Sequence, residues 1–424
     1  MQKFTRLATG GALVFAIVAS LAACAPAAPA ADAEGPLVIW VDAAREAQAQ
    51  AYADQEGAEN FNIIIVDATD LSTKLAQAKD DPSTRPDVVL SQGDTVSLDA
   101  KYSIAQDLTS LVDAKVQSDL TLSACQTNGR LVCLPNDVAT TMLWYDPVKM
   151  AEFGYTVPKT FDEYAALGER VAAEHPGYII GSCADWACPN LFFRANGCDG
   201  VDSNDGTTGV VYLASDPKCK EVATALDPLI ANGSIATLGP FDADFATLVK
   251  DEKVLMLPGF VWFPGALYKG NIPDGALAAA PFPTWSDGKS GQAAGTGAQW
   301  IVMNSSQRQK AAVKFVVDQV TNIDRLASIL TFPAYVPAQS AWSAVQAKDP
   351  IFGEDPTATF VSAGKDLEGV NLTTVPGFDL LGTFSNVVGP ALKSGGNITD
   401  NLGAWQDALV QSGTDFGLAV TVKK

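Results

Sequence analysis

His175 is the only histidine in the 424 residues, and this removes a large part of hydrolytic and metal chemistry. A Ser-His-Asp triad would have to be built on that one imidazole, and a metal site needing two imidazoles is excluded. There are seven cysteines. Cys183, Cys188, Cys198 and Cys219 are spaced loosely enough that zinc ligation is one reading and disulfide bonding another. Lys and Arg number 28 against 48 Asp and Glu, a formal charge of −20. That balance excludes nucleic acid, which needs a basic face, and does not suit attraction to an anionic lipid surface. The eight tryptophans fall mostly in loops and at strand ends. No cofactor and no metal is expected.

The first residues set the compartment. Lys3 and Arg6 precede an apolar stretch, Gly10 to Ala23, that is too short to span a bilayer as a mature helix and reads as the core of a signal peptide, residues 1–23. Leu21-Ala22-Ala23-Cys24 resembles a bacterial lipobox, in which Cys24 becomes the lipidated first residue. Residues 24–35, rich in Ala and Pro, read as a tether lifting the folded part off the membrane. Six cysteines then remain in an exported chain, an even number that fits disulfides. Sequence neighbours suggest Cys125–Cys133, Cys183–Cys188 and Cys198–Cys219. The first pair brackets Asn128-Gly129, a hairpin signal. A strict two-residue turn sets Cys125 opposite Val132, so a bulge or longer turn is expected there.

The elements that follow must position whatever chemistry the chain does. Leu37–Val41, Phe61–Val66 and Asp87–Leu90 read as short β-branched strands, separated by helix-favouring segments at Ala44–Ala53 and Leu71–Ala78. Alternation at this spacing predicts a parallel sheet covered on both faces. Ligands in such sheets sit beyond the carboxyl ends of strands, which puts Trp40, Asp42 and Asp94 at the binding edge. Further on, Thr160 and Glu163 have capping-box spacing at the start of a helix running to about Glu174. The length of the chain calls for two domains or lobes.

The ordered set of segments carries a resemblance. Gly129-Arg130-Leu131-Val132-Cys133-Leu134-Pro135, then Leu143-Trp144-Tyr145-Asp146, then Pro158-Lys159-Thr160-Phe161-Asp162-Glu163-Tyr164 resemble the extracellular solute-binding proteins of the maltose-binding-protein type, the capture subunits of ABC sugar importers. Pro86-Asp87-Val88-Val89-Leu90 with Asp94, Val254 to Trp262, Pro281-Phe282-Pro283, Gly297 to Val302, Lys310 to Val320, and Tyr335-Val336-Pro337-Ala338 follow in the family's order. The resemblance covers nearly all of the chain after the leader. It implies an α/β fold of two lobes, the type II periplasmic-binding-protein fold, each lobe a mainly parallel sheet flanked by helices, with the ligand in a cleft between them. By analogy one lobe takes 36–140 and 294–336, and the other 141–293 and 337–424. It also implies a carbohydrate ligand, membrane permease subunits as partners, a lipid-anchored monomer outside the cytoplasm, and no catalysis.

A sugar needs aromatic platforms for its C–H faces and carboxylates or amides for its hydroxyls. On that basis Trp262 with Phe263 is the expected platform, where the family places a stacking aromatic. Trp186 and Asp185 would be presented by the Cys183–Cys188 loop. Trp40, Trp300 and Phe384 are further aromatic candidates. Trp285 reads as a surface-loop residue, Trp342 as either cleft or packing, and Trp144 and Trp405 as core. Asp94 is the leading carboxylate, followed by Asp137 at the first crossover, Glu46 and Asp42. Asn190 and Arg194 follow the second disulfide, with the surface favoured over the cleft. The family often has a glutamate where this chain has Ala139 and Thr140. Two other readings use the same residues: capture of a cationic solute such as a polyamine or peptide, and two-carboxylate glycoside hydrolysis.

Overall fold

The computed structural model describes residues 32–80, 84–93, 95–203, 207–285, 297–365, 367 and 375–423. The leader, Cys24, most of the tether and Asp94 lie outside the described residues. Among the described residues no helix is long and apolar enough to cross a membrane. The chain forms two α/β lobes. The sheet of the first has the strand order Phe61–Ile65, Leu37–Val41, Val88–Ser91, Gln299–Val302, Leu134–Pro135. Its first three strands are parallel, and Gln299–Val302 runs against both of its neighbours. Val88–Ser91 is buried along its whole length, as a strand covered on both faces must be. Helices Glu46–Glu56 and Leu71–Asp80 make the crossovers.

The second lobe repeats this plan. Thr141–Tyr145 lies between Met256–Phe260 and Ala278–Ala280 and is antiparallel to both. Gly181–Ser182 pairs in parallel with Ile235–Ala236, and the parallel bridge Ile179–Val254 joins that pair to the rest. In each lobe the strands just described therefore include one reversed strand in an otherwise parallel set. In both cases it is the strand by which the chain arrives from the other lobe. Three passages of chain between the lobes lie side by side: Asp137–Val138 pairs with Phe332–Pro333, and the Asn136 N–H donates to the carbonyl of Ala298 at 2.8 Å.

Local signals operate as the sequence predicts in several places. Thr160 and Glu163 form the reciprocal capping box of helix Phe161–Glu174. The first helix begins at Glu46 and not at Ala44, because Asp42 takes the Arg45 backbone N–H on its carboxylate at 2.9 Å and holds a turn there. His175 stacks on Phe153 with ring centroids 3.7 Å apart, a packing role.

The disulfides Cys125–Cys133, Cys183–Cys188 and Cys198–Cys219 are present. The bulge expected at the first is not. Asn128 and Gly129 have positive φ, 49° and 74°, and make a strict two-residue turn between Gln126–Thr127 and Arg130–Leu131. Cys125 faces Val132 through the Val132 N–H, as that register demands, but the ladder ends there. The backbone beyond it brings Cys133 to a Cα separation of 5.0 Å from Cys125. The described residues before the first strand are fastened to the fold. The Asp32 carboxylate accepts the backbone N–H groups of Lys310 and Ala311 at 3.0 and 2.8 Å, capping helix Gln309–Thr321 from outside. Arg308 holds the carbonyls of Glu34 and Gly35.

Candidate ligand-binding site

Between the lobes lies a cavity of about 650 Å³. Its first-lobe side is built from the chain just beyond two parallel strands: Ala44 and Arg45 after Leu37–Val41, and Gln92 and Gly93 after Val88–Ser91. Its floor is the crossover, with Asp137, Ala139, Gly297 and Ala298. Gly297 has φ of +64°, and a Cβ there would lie 2.0 Å from the Asp137 carbonyl oxygen, so no side chain fits at this crossing.

Polar groups on the floor are tied to one another. Arg45 donates from Nε and Nη2 to Asp137 at 3.1–3.3 Å and from Nη1 to Asp42 at 3.0 Å. Gln92 Nε2 donates to the same Asp42 oxygen at 2.6 Å. Asp137 also accepts from Asn136 Nδ2 at 2.8 Å and from the Ala298 N–H at 3.1 Å. Burial works against the Arg45 charge, but Asp137 and Asp42 outweigh it and hold its pKa above the ordinary guanidinium value. The result is a charge-paired brace under the cavity, one guanidinium between two carboxylates, with Arg45 among the lining residues.

The second lobe supplies an aromatic wall. Phe260 ends a strand and Trp262 follows two residues later, in the turn that leaves it. Their planes are 2° apart, with centroids separated by 5.9 Å. Trp186 is near-parallel to both, 5.7 Å from Phe260 and 6.5 Å from Trp262. Phe263 is fully buried and stands edge-on to the wall, 4.9 Å from Trp262 and 5.5 Å from Phe260. Asn190, Arg194 and Asp199 add polar groups to the lining, the last two as an ion pair at 3.6 Å. The Asn190 carboxamide is buried, and its Oδ1 has no hydrogen-bond partner among the described residues. Phe378, Leu380 and Leu381 close an apolar side.

Near-parallel aromatic rings together with amide, carboxylate and guanidinium groups line this interlobe cavity, an arrangement suited to holding a solute. Comparison with known proteins agrees. The family model of the bacterial extracellular solute-binding proteins matches residues 38–317. The chain belongs to this family. An arabinooligosaccharide-binding protein of Halalkalibacterium halodurans is 24% identical over 259 residues, 58% of this chain. The chain spans about half, 54%, of that relative's length. The galacto-N-biose-/lacto-N-biose I-binding protein of an ABC transporter from Bifidobacterium longum, solved with lacto-N-biose, superposes with a TM-score of 0.75 at 20% identity, covering 92% of this chain and 100% of that one. An ABC transporter associated binding protein from B. animalis subsp. lactis, solved with β-1,6-galactobiose, gives a TM-score of 0.72 at 19% identity, with 92% and 100% covered. At these identities the structural likeness speaks to the fold.

In this solute-binding protein the expected site residues separate into two groups. Trp262, Trp186 and Asp137 line the cavity, and Phe263 packs behind Trp262. Trp300 does not reach it: the ring is fully buried, its Nε1 donates to Asn136 Oδ1 at 3.0 Å, and it packs edge-on against Phe315. Trp40 is buried in the first sheet. Phe384 is buried against Phe193 and Trp405, one turn past the cavity-lining Leu380 and Leu381. Glu46 is exposed on the first helical turn, outside the lining. Asp185 turns away: it accepts the Ala187 N–H at 2.9 Å and lies against Gly239, where a Cβ would be 2.5 Å from its Oδ2. Trp285, expected in a surface loop, is buried and stacked on Phe161 at 3.7 Å. Trp342 packs against Phe332 and Phe360.

Arg45, Gln92 and Phe260 line the cavity without having been singled out by the sequence. Arg45 and Gln92 stand just past strand ends, the position that drew attention to Asp42 and Asp94. Phe260 is the last residue of the strand whose following turn carries Trp262, and that closeness in sequence was the available signal.

Proposed function

We propose that this protein is the capture subunit of an ABC importer and that it holds a carbohydrate of oligosaccharide size between its lobes. The observation that carries the reading is the near-parallel wall of Trp186, Phe260 and Trp262 on a cavity that also holds the unpartnered amide oxygen of Asn190. Flat rings take the C–H faces of a sugar, and the amide, Gln92 and the exposed part of Arg45 take its hydroxyls. The names and bound sugars of the similar proteins support the same ligand class. Closure of the lobes would bury the sugar and present a new surface to permease subunits. Lipidation at Cys24, a monomeric state and lobe boundaries near 140, 293 and 336 are part of the same proposal.

The carboxylates among the described lining residues weigh against the cationic alternative. Asp137 is held by Arg45, Asp199 faces Arg194, and Asp379 caps helix Leu380–Lys393 by accepting the Gly382 N–H at 2.8 Å. Asp137 is also too fully engaged to exchange protons with a substrate, which favours binding without turnover. The test is calorimetric titration of the purified protein with mono- to tetrasaccharides of glucose, galactose and arabinose, and with spermidine and short basic peptides, at low and high salt. Sugar binding that salt barely changes is expected. Binding of the amines alone, weakening steeply with salt, would falsify the carbohydrate class.

A further inference from the structure

Phe241 lies outside the cavity lining and yet continues its wall. Its ring is within 11° of Trp186 and 15° of Trp262, at centroid distances of 6.4 and 5.8 Å. It stands edge-on to the same buried Phe263, at 6.3 Å. Phe241 is nevertheless 51% exposed, an uncommon position for a ring held in register with three others.

The turn that carries it is braced. The Gly239 N–H donates to the Asp242 carboxylate at 2.9 Å, and the Asp242 N–H returns to the Gly239 carbonyl at 3.0 Å. Asp242 is further paired with Lys393 at 3.1 Å. Gly239 abuts Asp185, which shapes the Cys183–Cys188 loop by accepting the Ala187 N–H. The loop of Trp186 and the turn of Phe241 are therefore packed against each other, and this packing fixes the common orientation of their rings. An exposed aromatic face that the fold holds this firmly is preorganised for a flat apolar partner.

We propose that Phe241 is an outer stacking position for one sugar ring beyond those inside the cavity, so that a bound oligosaccharide leaves the cleft along the line from Trp262 to Phe241. The inference rests on the carbohydrate reading above and adds a length and a direction to it. The 5.8 Å step from Trp262 to Phe241 is comparable with the distance between successive rings of a linked sugar chain. The neighbouring carboxylate, Asp242, is occupied by the Gly239 N–H and Lys393. The outer position thus offers a ring face with little hydroxyl recognition, and it reads the presence of a further ring more than its stereochemistry.

The experiment is titration of the unsubstituted protein, Phe241→Ala and Phe241→Leu with mono-, di-, tri- and tetrasaccharides of the series that binds. Phe241→Ala is expected to leave the affinity for the shortest bound sugar unchanged and to weaken the longest by roughly tenfold, the size of one lost stacking contact. Phe241→Leu, which keeps apolar bulk without a flat face, is expected to fall between. An equal loss at every length would show that Phe241 only props Trp262, and no loss at any length would show that the ring is idle; either result overturns the outer position while the carbohydrate reading stands. Failure of the unsubstituted protein to bind any sugar overturns both.

Discussion

Arg45 and Asp137 face each other across the crossover, 92 residues apart in sequence, with Nε and Nη2 of the guanidinium directed at both oxygens of the carboxylate. The side chain of Asp137 is fully buried and that of Arg45 is 13% exposed. Removing one partner of such a pair leaves an uncompensated buried charge, and this usually costs more than the intact pair contributes.

Arg45→Gln should therefore lower stability by about 3 kcal/mol, read from the midpoint of chemical denaturation. The double variant Arg45→Gln with Asp137→Asn should recover part of that loss, because the fully buried carboxylate is then gone and only Asp42, still hydrogen-bonded by Gln92, keeps a charge without its cation. Asp137 keeps its bonds from Asn136 and Ala298 in the single variant, which places the estimate at the low end of the range. A loss no larger than that of an exposed pair such as Lys149–Glu152, or a double variant weaker than the single, would contradict the brace.

The disulfides around the second lobe should separate stability from binding. Cys183–Cys188 closes a span of 5 residues and Cys198–Cys219 one of 21. Loop-closure entropy then assigns about 2 kcal/mol to the first and about 3 kcal/mol to the second. The short loop, however, carries Trp186. Replacing Cys183 and Cys188 by serine should weaken ligand binding more than it lowers the thermal midpoint, and replacing Cys198 and Cys219 should do the reverse. Identical effects of the two double variants on affinity would show that the short loop does not position the tryptophan.

Burial raises the pKa of Asp185 above the ordinary aspartate value. Between the ordinary value and the raised one, the folded protein holds a proton that the unfolded chain has released. Stability attributable to this group therefore falls as pH rises through that window, and stays lower above it. Asp185→Asn keeps an acceptor for the Ala187 N–H and removes the charge. It should match the unsubstituted protein in acid, below the aspartate range, and exceed it in thermal midpoint at neutral pH. Neighbouring Asp242 has the opposite sign: the Gly239 N–H holds its pKa down, so its contribution is lost as pH falls. A difference between Asp185→Asn and the parent that does not change with pH would rule out the buried charge as its cause.

What was legible in the sequence follows the range of the interaction that decides it. Thr160 and Glu163 interact three residues apart, so their capping box could be read directly. The strand Leu37–Val41 and the return Gln299–Val302 are apolar runs that identify themselves. Trp262 was legible because it follows a buried strand. Trp300 was a candidate because it stands at the glycine-rich return, but its Nε1 is claimed by Asn136, 164 residues earlier, and nothing local announces that bond. The Arg45–Asp137 brace is equally non-local. Phe384 was displaced by helix rotation: Leu380 and Leu381 take the cavity side, and the ring three and four residues on packs inward on Trp405.

Asn190 gives the sharpest distinction between a structural polar group and one reserved for a ligand. It sits in the turn Pro189–Phe193 with its side chain buried at the cavity, and among the described residues Oδ1 has no partner. A buried amide oxygen without a donor burdens the free protein by about 1–3 kcal/mol. Asn190→Leu, similar in size and free of that burden, should leave the thermal midpoint unchanged or raise it. The same substitution removes an acceptor placed for a sugar hydroxyl, and affinity should fall at least about tenfold, as expected for the loss of one buried hydrogen bond. Calorimetric titration alongside thermal denaturation reads both effects on the same sample. A variant that is destabilised and binds normally would make Asn190 a packing residue; one that is stable and binds poorly would mark it as a ligand contact.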